Sequence, residues 1–170
     1  LGVGILLSIN LAVLNILPIP MLDGGYVEHA RLEGRDGQKE FRWYRDGKLG
    51  LGGFPAADIP LYGWDQLRDG PAVLTEGEKA CVAVIEAGIN AAATTTGANN
   101  TPSGTALAPL LGRSVYLWAD NDGLGRDHMS RIHQLLPALG HTEVRTVEWA
   151  GAPAKGDAHD AMAAGIDIQA

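Results

Sequence analysis

Three acidic residues follow two runs of strand-forming residues in this sequence. Glu76 ends the run AVLTE, Asp120 ends the run SVYLWAD, and Asp122 comes two positions later. If these runs lie in one sheet, the three carboxylates converge and raise each other's pKa unless a cation binds among them. A ligand set made of oxygen atoms favours Mg²⁺ or Mn²⁺ over zinc. We therefore predict a divalent-metal site at this edge of the sheet.

The elements that would position these acids alternate between strand and helix. Apolar runs bounded by turn residues predict strands at 72–76, 91–96, 114–120 and 143–149. Helical patterns fall at 78–88, 104–112, 125–140 and about 157–165. This order implies an α/β fold, with a mainly parallel sheet of about four strands flanked by helices. Ligands of such sheets bind beyond the carboxyl ends of the strands, where the three acids are expected.

Turns and helix caps offer competing explanations for single acids. Asp120 and Asp122 could shape a turn and cap the helix that starts near Gly125, although this accounts for one acid rather than for all three. Glu78 lies three residues after Thr75, which is the spacing of a capping box, and we assign it a structural role.

Composition limits the classes of protein to consider. The 170 residues, 46% of them hydrophobic, suit one compact domain with an appendage. A formal net charge of −7 argues against a protein that coats nucleic acid over its whole surface, so any such contact must be regional. The single cysteine, Cys81, is predicted to lie buried in a helix and fits a reducing compartment. His128 and His133 do not share a helical face well, and both are predicted at the surface.

A basic and aromatic stretch precedes the α/β region. Its members are Arg31, Arg35, Lys39, Arg42, Arg45, Lys48, Phe41, Trp43 and Tyr44. Interleaved basic and aromatic side chains can follow a phosphate backbone and stack on bases, and Arg42 and Arg45 are our candidate contacts. Alternation around Asp46 and Gly47 also predicts a β-hairpin. We therefore expect a small β lead-in over residues 27–70.

Residues 1–22 carry no charge, unlike everything that follows. The stretch before Pro18 would form an apolar helix of roughly 26 Å, near the lower limit for crossing a bilayer, so we consider membrane association of residues 1–22. The chain begins without methionine and without the basic start of a signal peptide, and we expect it to be a fragment.

The segment LNILPIPMLDGGY, residues 14–26, resembles the last signature of the site-2 protease family of intramembrane zinc metalloproteases. The resemblance covers about residues 1–26 and implies that Asp23 matches a zinc ligand and Asn15 a substrate-holding residue. The two histidines and the glutamate of that family's motif are not in this chain, and one carboxylate cannot hold catalytic zinc. Zinc would matter only within a complete protease, and no protease activity is expected from this chain alone.

Three later segments, TEGEKA, WADNDGLGRDH and AKGDAHDAMAAG, resemble the motifs of the Toprim domain in its phage and plasmid primase or primase-helicase form. The resemblance spans residues 27–170, with the domain itself at 71–170. It implies that Glu76 acts as general acid or base in nucleotidyl transfer and that Asp120 and Asp122 hold Mg²⁺. It adds Asp157, or less directly Asp160, as a further metal ligand, while Asp157 could instead cap the last helix.

The same resemblance implies a cytoplasmic DNA replication enzyme that binds single-stranded DNA and nucleotides. Primases of this type also use zinc-binding and helicase modules, which this sequence lacks. One basic residue lies within each of the three motifs, namely Lys79, Arg126 and Lys155. They could bind phosphates or simply occupy solvated helix ends.

Other classes stay open at this point. Toprim domains also serve nucleases and topoisomerases, but a topoisomerase needs an attacking tyrosine, and Tyr62 and Tyr116 have no supporting context. The chain could instead be a truncated membrane zinc metalloprotease with a passenger domain. The joining of the two families could also come from gene prediction or assembly.

Overall fold

Two four-stranded sheets organise the part of the chain that the computed structural model describes, namely residues 15–21, 26–33, 39–141 and 143–166. The first sheet is antiparallel, with its strands in chain order. They are β1 (Asn15–Pro20), β2 (Tyr26–Glu33), β3 (Lys39–Arg45) and β4 (Lys48–Leu49). Asp46 and Gly47 join β3 to β4 with φ of 50° and 74°, as a two-residue hairpin turn requires. The predicted hairpin is confirmed.

The segment Asn15–Pro20 corrects one expectation, because it was predicted to continue an apolar helix up to Pro18. It pairs instead with β2 along its whole length, so its backbone is bonded to another strand. Pro18 and Pro20 fit this position since β1 is an edge strand, where a missing N–H can face away from the ladder. The remainder of the predicted helix, and Asp23, lie outside the described residues.

The second sheet is parallel throughout, in the order β6-β5-β7-β8. Its strands are β5 (Ala72–Glu76), β6 (Ala91–Thr94), β7 (Val115–Trp118) and β8 (Val144–Thr146). The helices are α1 (Glu78–Glu86), α2 (Gly104–Leu107), α3 (Gly123–Ala138) and α4 (Ala158–Ala163). Short 3-10 helices lie at Ala56–Asp58, Trp64–Gln66 and Ala108–Leu110. All four predicted strands are present, with ends shifted by a few residues.

Helices cover both faces of the parallel sheet, as alternation along β5 illustrates. Leu74 faces a core that includes Leu117 of β7 and Ile132 of α3. Its neighbour Val73 faces the opposite core, which includes Cys81 of α1 and Ala161 of α4. Because successive side chains of a strand point to opposite faces, burial on both sides gives the continuous apolar runs seen in the sequence.

His128 is fully buried, so its predicted surface position is wrong. It lies on the inner stripe of α3 between Gly125 and Ile132, both of which are buried. Its Nε2 lies 3.2 Å from the Thr94 hydroxyl, which explains how a polar ring is accepted there. His133, five positions later, is exposed as predicted.

A contact between His29 and Glu78 joins the first sheet to α1. His29 Nδ1 lies 3.0 Å from Glu78 Oε1, and the His29 ring stacks on Trp43 with centroids 4.3 Å apart. Glu78 does not make the capping box expected with Thr75; the N-cap of α1 is Gly77, without a side-chain bond. Among the described residues, no helix combines the length and apolarity needed to cross a bilayer.

Candidate active site

The parallel pairing of β5 with β7 brings Glu76 and Asp120 together. Thr75 lies opposite Trp118 in the register, so the residues that follow both strands leave the sheet at the same edge. There, Glu76 Oε1 accepts a hydrogen bond from the Asp120 N–H at 3.0 Å. The segment after β7 is thereby attached to the carboxylate that ends β5.

Burial and like charges raise the pKa of Asp120 to about 7. Burial is the largest cause, followed by the charges of Glu76, Asp157, Asp122 and Asp160. Every one of these contributions disfavours the charged form. A carboxylate in such surroundings suits a bound cation, which would reverse the balance.

Burial also raises the pKa of Glu76. The hydrogen bond from the Asp120 backbone opposes this shift, the charge of Asp122 adds to it, and the guanidinium of Arg131 lowers the pKa again. Arg131 was not among the predicted site residues. It is held by bonds from Nε to the Thr101 hydroxyl at 2.9 Å and from Nη2 to the Ala98 carbonyl. Arg131 is exposed on α3, and the sequence alone does not distinguish it from any other solvated arginine of a helix.

Gly125 allows the first turn of α3 to approach the acids. A Cβ at this position would lie 2.5 Å from Glu76 Oε1 and 2.8 Å from the Asp120 carbonyl oxygen. Asp122 caps the same turn, since its Oδ1 accepts a hydrogen bond from the Gly125 N–H at 2.8 Å. The capping alternative for Asp122 is therefore observed, while its charge still acts on Glu76 and Asp120.

Asp157 and Asp160 begin α4 with a reciprocal capping box. Asp157 Oδ1 accepts from the Asp160 N–H at 2.9 Å, and Asp160 Oδ2 accepts from the Asp157 N–H at 3.2 Å. One ligand atom from each of these acids and from His159 lies within 4.8 Å of the others. Both acids thus have local structural roles, and both add charge around Asp120.

Asn121 stands between the two aspartates of the ADND segment and was not among the predicted site residues. Its side-chain amide donates to the carbonyls of Ala152 and Pro153, each at 2.9 Å, and its Oδ1 accepts from Arg126 Nη1 at 3.0 Å. An amide between two acids can donate as well as accept, which a carboxylate cannot do. An asparagine between two aspartates was therefore the feature of the sequence that could have indicated a hydrogen-bond donor here.

The predicted basic residues fall into two places. Lys79 is exposed in the first turn of α1, and Lys155 is exposed with a φ of 60°, two residues before Asp157, the N-cap of α4. Arg126 is bonded to Asn121 in the first turn of α3. Arg42 and Arg45 lie on β3 in the first sheet, where the Arg45 guanidinium sits 4.8 Å from the Phe54 ring centroid.

The other residues considered in the sequence analysis are Asn15, Asp23, Tyr62 and Tyr116. Asn15 opens β1 opposite Arg31, whereas Asp23 is outside the described residues. The backbone of Tyr62 pairs with Ala93 at the edge of β6, and Tyr116 belongs to β7. Both tyrosines pack against a buried core.

The first 47 residues match the model of Peptidase family M50. This match passes residue 26, the boundary predicted from composition, and reaches into the first sheet. No curated protein matches the chain.

Solved primase structures are similar to most of the chain. A DNA primase domain from Pseudomonas aeruginosa shares 24% identity with a TM-score of 0.60 over 88% of this chain and 46% of its own length. The Aquifex aeolicus primase zinc-binding and RNA polymerase domains share 18%, with a TM-score of 0.60 over 88% of this chain and 36% of that one. A DnaG primase catalytic domain bound to single-stranded DNA shares 21%, with a TM-score of 0.52 over 82% and 45%.

The chain spans less than half the length of these primase structures. Because the first two alignments cover 88% of this chain, they include part of the stretch that matches the peptidase family. At these identities the likeness concerns architecture alone. The chain has a Toprim-like α/β fold, shared with primase domains.

Proposed function

We propose that this chain contains a primase-type Toprim domain that carries out Mg²⁺-dependent nucleotidyl transfer on nucleic acid, as part of a DNA replication protein. The observation that carries the proposal is the meeting of Glu76 and Asp120 at one sheet edge, among the charges of Asp122, Asp157 and Asp160. The primase architecture supports the same reaction class.

Asp120 and Asp122 would hold Mg²⁺, with Asp157 or Asp160 completing the site. When bound, the ion would neutralise nucleotide phosphates and charge at the reacting phosphorus. Mn²⁺ would satisfy the same oxygen ligands. The fit rests on the donor set, because the acids beside the Glu76–Asp120 contact offer the carboxylate oxygens that Mg²⁺ prefers.

Glu76 would act as the general acid or base that transfers a proton. Nucleotidyl transfer forms a bond from a hydroxyl oxygen to the α-phosphorus of a nucleoside triphosphate and breaks the bond from that phosphorus to pyrophosphate. The hydroxyl must lose its proton, and an acid can protonate the leaving oxygen. Burial raises the pKa of Glu76 toward neutral pH, and a group whose pKa is nearer the working pH can both accept and return a proton. The bond from the Asp120 N–H fixes one of its oxygens.

Single-stranded DNA and nucleotides are the proposed partners. Lys79, Arg126 and Lys155 would contact phosphates near the acids, and Arg42 and Arg45 would contact the strand on the first sheet. We also propose a cytoplasmic setting and association with zinc-binding and helicase modules, as the resemblance to primases implies.

Template-dependent extension on single-stranded DNA with Mg²⁺ tests the proposal. We expect Glu76→Gln and Asp120→Asn to lower extension at least about 100-fold, whereas Asp127→Asn, an exposed acid on α3, should leave it unchanged. Mg²⁺ should also raise the melting temperature of the wild type but not of Asp120→Asn. Equal extension by all four proteins contradicts the proposal, and nicked products without synthesis would indicate a nuclease instead.

We infer a separate ancestry for the first part of the chain from its match to Peptidase family M50. Asn15 and Asp23 would be remnants of that family's motif. Peptide hydrolysis is not expected, because the sequence lacks the His and Glu residues needed to complete a zinc site. A natural transcript that spans residues 15–45 would support a genuine fusion, and separate transcripts would point to an assembly product.

A further inference from the structure

Four hydrogen bonds connect Asn121 to the loop before α4. Two come from its side-chain amide to the carbonyls of Ala152 and Pro153. Its backbone N–H donates to the Gly156 carbonyl at 2.8 Å, and its own carbonyl accepts from the Lys155 N–H at 3.0 Å. One residue therefore binds this loop through both its backbone and its side chain.

The loop so bound leads directly into the acids of α4. Gly156 is buried and immediately precedes Asp157, and a Cβ on it would lie 2.8 Å from Pro153 Cδ. Lys155 beside it has a φ of 60°, which L residues other than Asn and Asp adopt infrequently. A loop with such close packing has little freedom to shift while its bonds to Asn121 remain, so the position of Asp157 follows that of Asn121.

Asn121 also fixes the other acid segment, because it lies between Asp120 and Asp122. Its Oδ1 accepts from Arg126 in the first turn of α3, the turn that Asp122 caps. The carboxamide is thus used at both ends, with two donated bonds toward the α4 loop and one accepted bond from α3. An aspartate of the same shape could keep only the accepted bond.

We propose that Asn121 is a positioning residue that holds the Asp120 and Asp122 segment against the Asp157 and Asp160 segment, so that metal affinity depends on its carboxamide. This inference rests on the proposed metal site. It assigns no direct contact with substrate or metal to Asn121. Outer partners that orient metal ligands typically contribute 10- to 100-fold to affinity.

Asn90 provides a matched control within the same chain. Its side-chain amide donates to the carbonyls of Arg68 and Pro71, each at 2.9 Å, and its Oδ1 accepts from the Arg68 N–H at 3.0 Å. Like Asn121, it is half-buried and joins two loops, but it precedes β6 at the opposite end of the sheet. Replacing either asparagine by alanine removes the same number of side-chain hydrogen bonds.

The first experiment measures the Kd for Mn²⁺ and the melting temperature of the wild type, Asn121→Ala and Asn90→Ala. We expect both variants to melt at a lower temperature, since each loses three side-chain hydrogen bonds. The Kd should rise roughly tenfold or more in Asn121→Ala and stay within about twofold in Asn90→Ala. A Kd that is unchanged in Asn121→Ala, or equally raised in both, overturns the inference.

The near-isosteric Asn121→Asp variant separates positioning from charge, and it decides the question if Asn121→Ala does not fold. If charge alone set affinity, an added carboxylate would tighten Mn²⁺ binding. We expect weaker binding by roughly tenfold, because the new carboxylate would face the Ala152 and Pro153 carbonyls without a donor. Tighter binding overturns the inference.

The Asp120→Asn variant distinguishes failure of the proposed metal site from failure of the positioning role of Asn121. If the wild type binds Mn²⁺ and Asp120→Asn binds it much more weakly, the metal site stands, and the Asn121 variants then test the positioning role alone. If the wild type shows no saturable binding, or binds no better than Asp120→Asn, the proposed metal site is wrong and the positioning role falls with it.

Discussion

His128 shows how burial can keep a histidine ring uncharged. Nε2 lies beside the Thr94 hydroxyl, and Nδ1 has no hydrogen bond of normal geometry among the described residues. Burial, followed by the charge of Arg131, lowers the pKa of His128 from 6.5 to about 4, although an interaction with the Ala98 backbone opposes the shift. The ring is therefore neutral in the folded protein at physiological pH.

The first prediction concerns acid stability. Below about pH 6.5 the unfolded chain protonates His128, while the folded chain does so only near pH 4, so the free energy of unfolding should fall as the pH is lowered across this range. The contribution is about 3 kcal/mol at most. Because the raised pKa of Asp120 acts in the opposite direction, the informative quantity is the difference between wild type and His128→Gln in urea unfolding at each pH.

That difference should favour the wild type less at pH 4.5 than at pH 7.5. His133→Gln removes an exposed histidine from the same helix and serves as the control for the loss of one histidine. A difference between wild type and His128→Gln that stays constant from pH 7.5 to pH 4.5 would contradict the assigned protonation state.

At the scale of elements, the first turn of α3 matters because its backbone at Gly125 lies very close to the Glu76 carboxylate. The second prediction is that Gly125→Ala lowers the free energy of unfolding by about 1–3 kcal/mol, since its Cβ would lie 2.5 Å from Glu76 Oε1. Extension activity should fall with it, because Glu76 and Asp120 would have to shift away from the start of α3. Gly123→Ala lies in the same turn with nothing within 4 Å of its Cβ, and it should be neutral or slightly stabilising. Similar effects from both changes would argue against this close approach.

The order of elements could be predicted because buried parallel strands read as apolar runs separated by helical patterns. The same topology predicted that Glu76 and Asp120 would share an edge. β1 could not be recognised, since its apolar residues and two prolines suggested the end of a helix, and its pairing with β2 depends on tertiary context. Asn121 escaped notice because the loop that it binds, 152–156, has no periodicity from which a contact could be predicted.

For the whole molecule, the contact of His29 with Glu78 is a link between the first sheet and α1. Glu78 begins α1 only two residues after Glu76, so this contact attaches the sheet near the carboxyl end of β5. The basic strand β3 pairs with β2, the strand that carries His29. A molecule with a net charge of −7 needs such a local basic surface to bind a polyanion.

The last prediction is that single-stranded DNA binds through this first sheet. Arg42→Gln and Lys48→Gln, made singly, should each weaken binding and reduce the slope of log K against log salt by about 0.7, the value for one phosphate contact on a single strand. Arg145→Gln removes the same charge from β8, where Arg145 pairs with Glu143 at 2.6 Å, and should leave the slope unchanged. Fluorescence anisotropy with a labelled oligonucleotide at several salt concentrations measures both quantities. If all three variants reduce the slope equally, net charge rather than the first sheet governs binding, and the strand must take another path to Glu76.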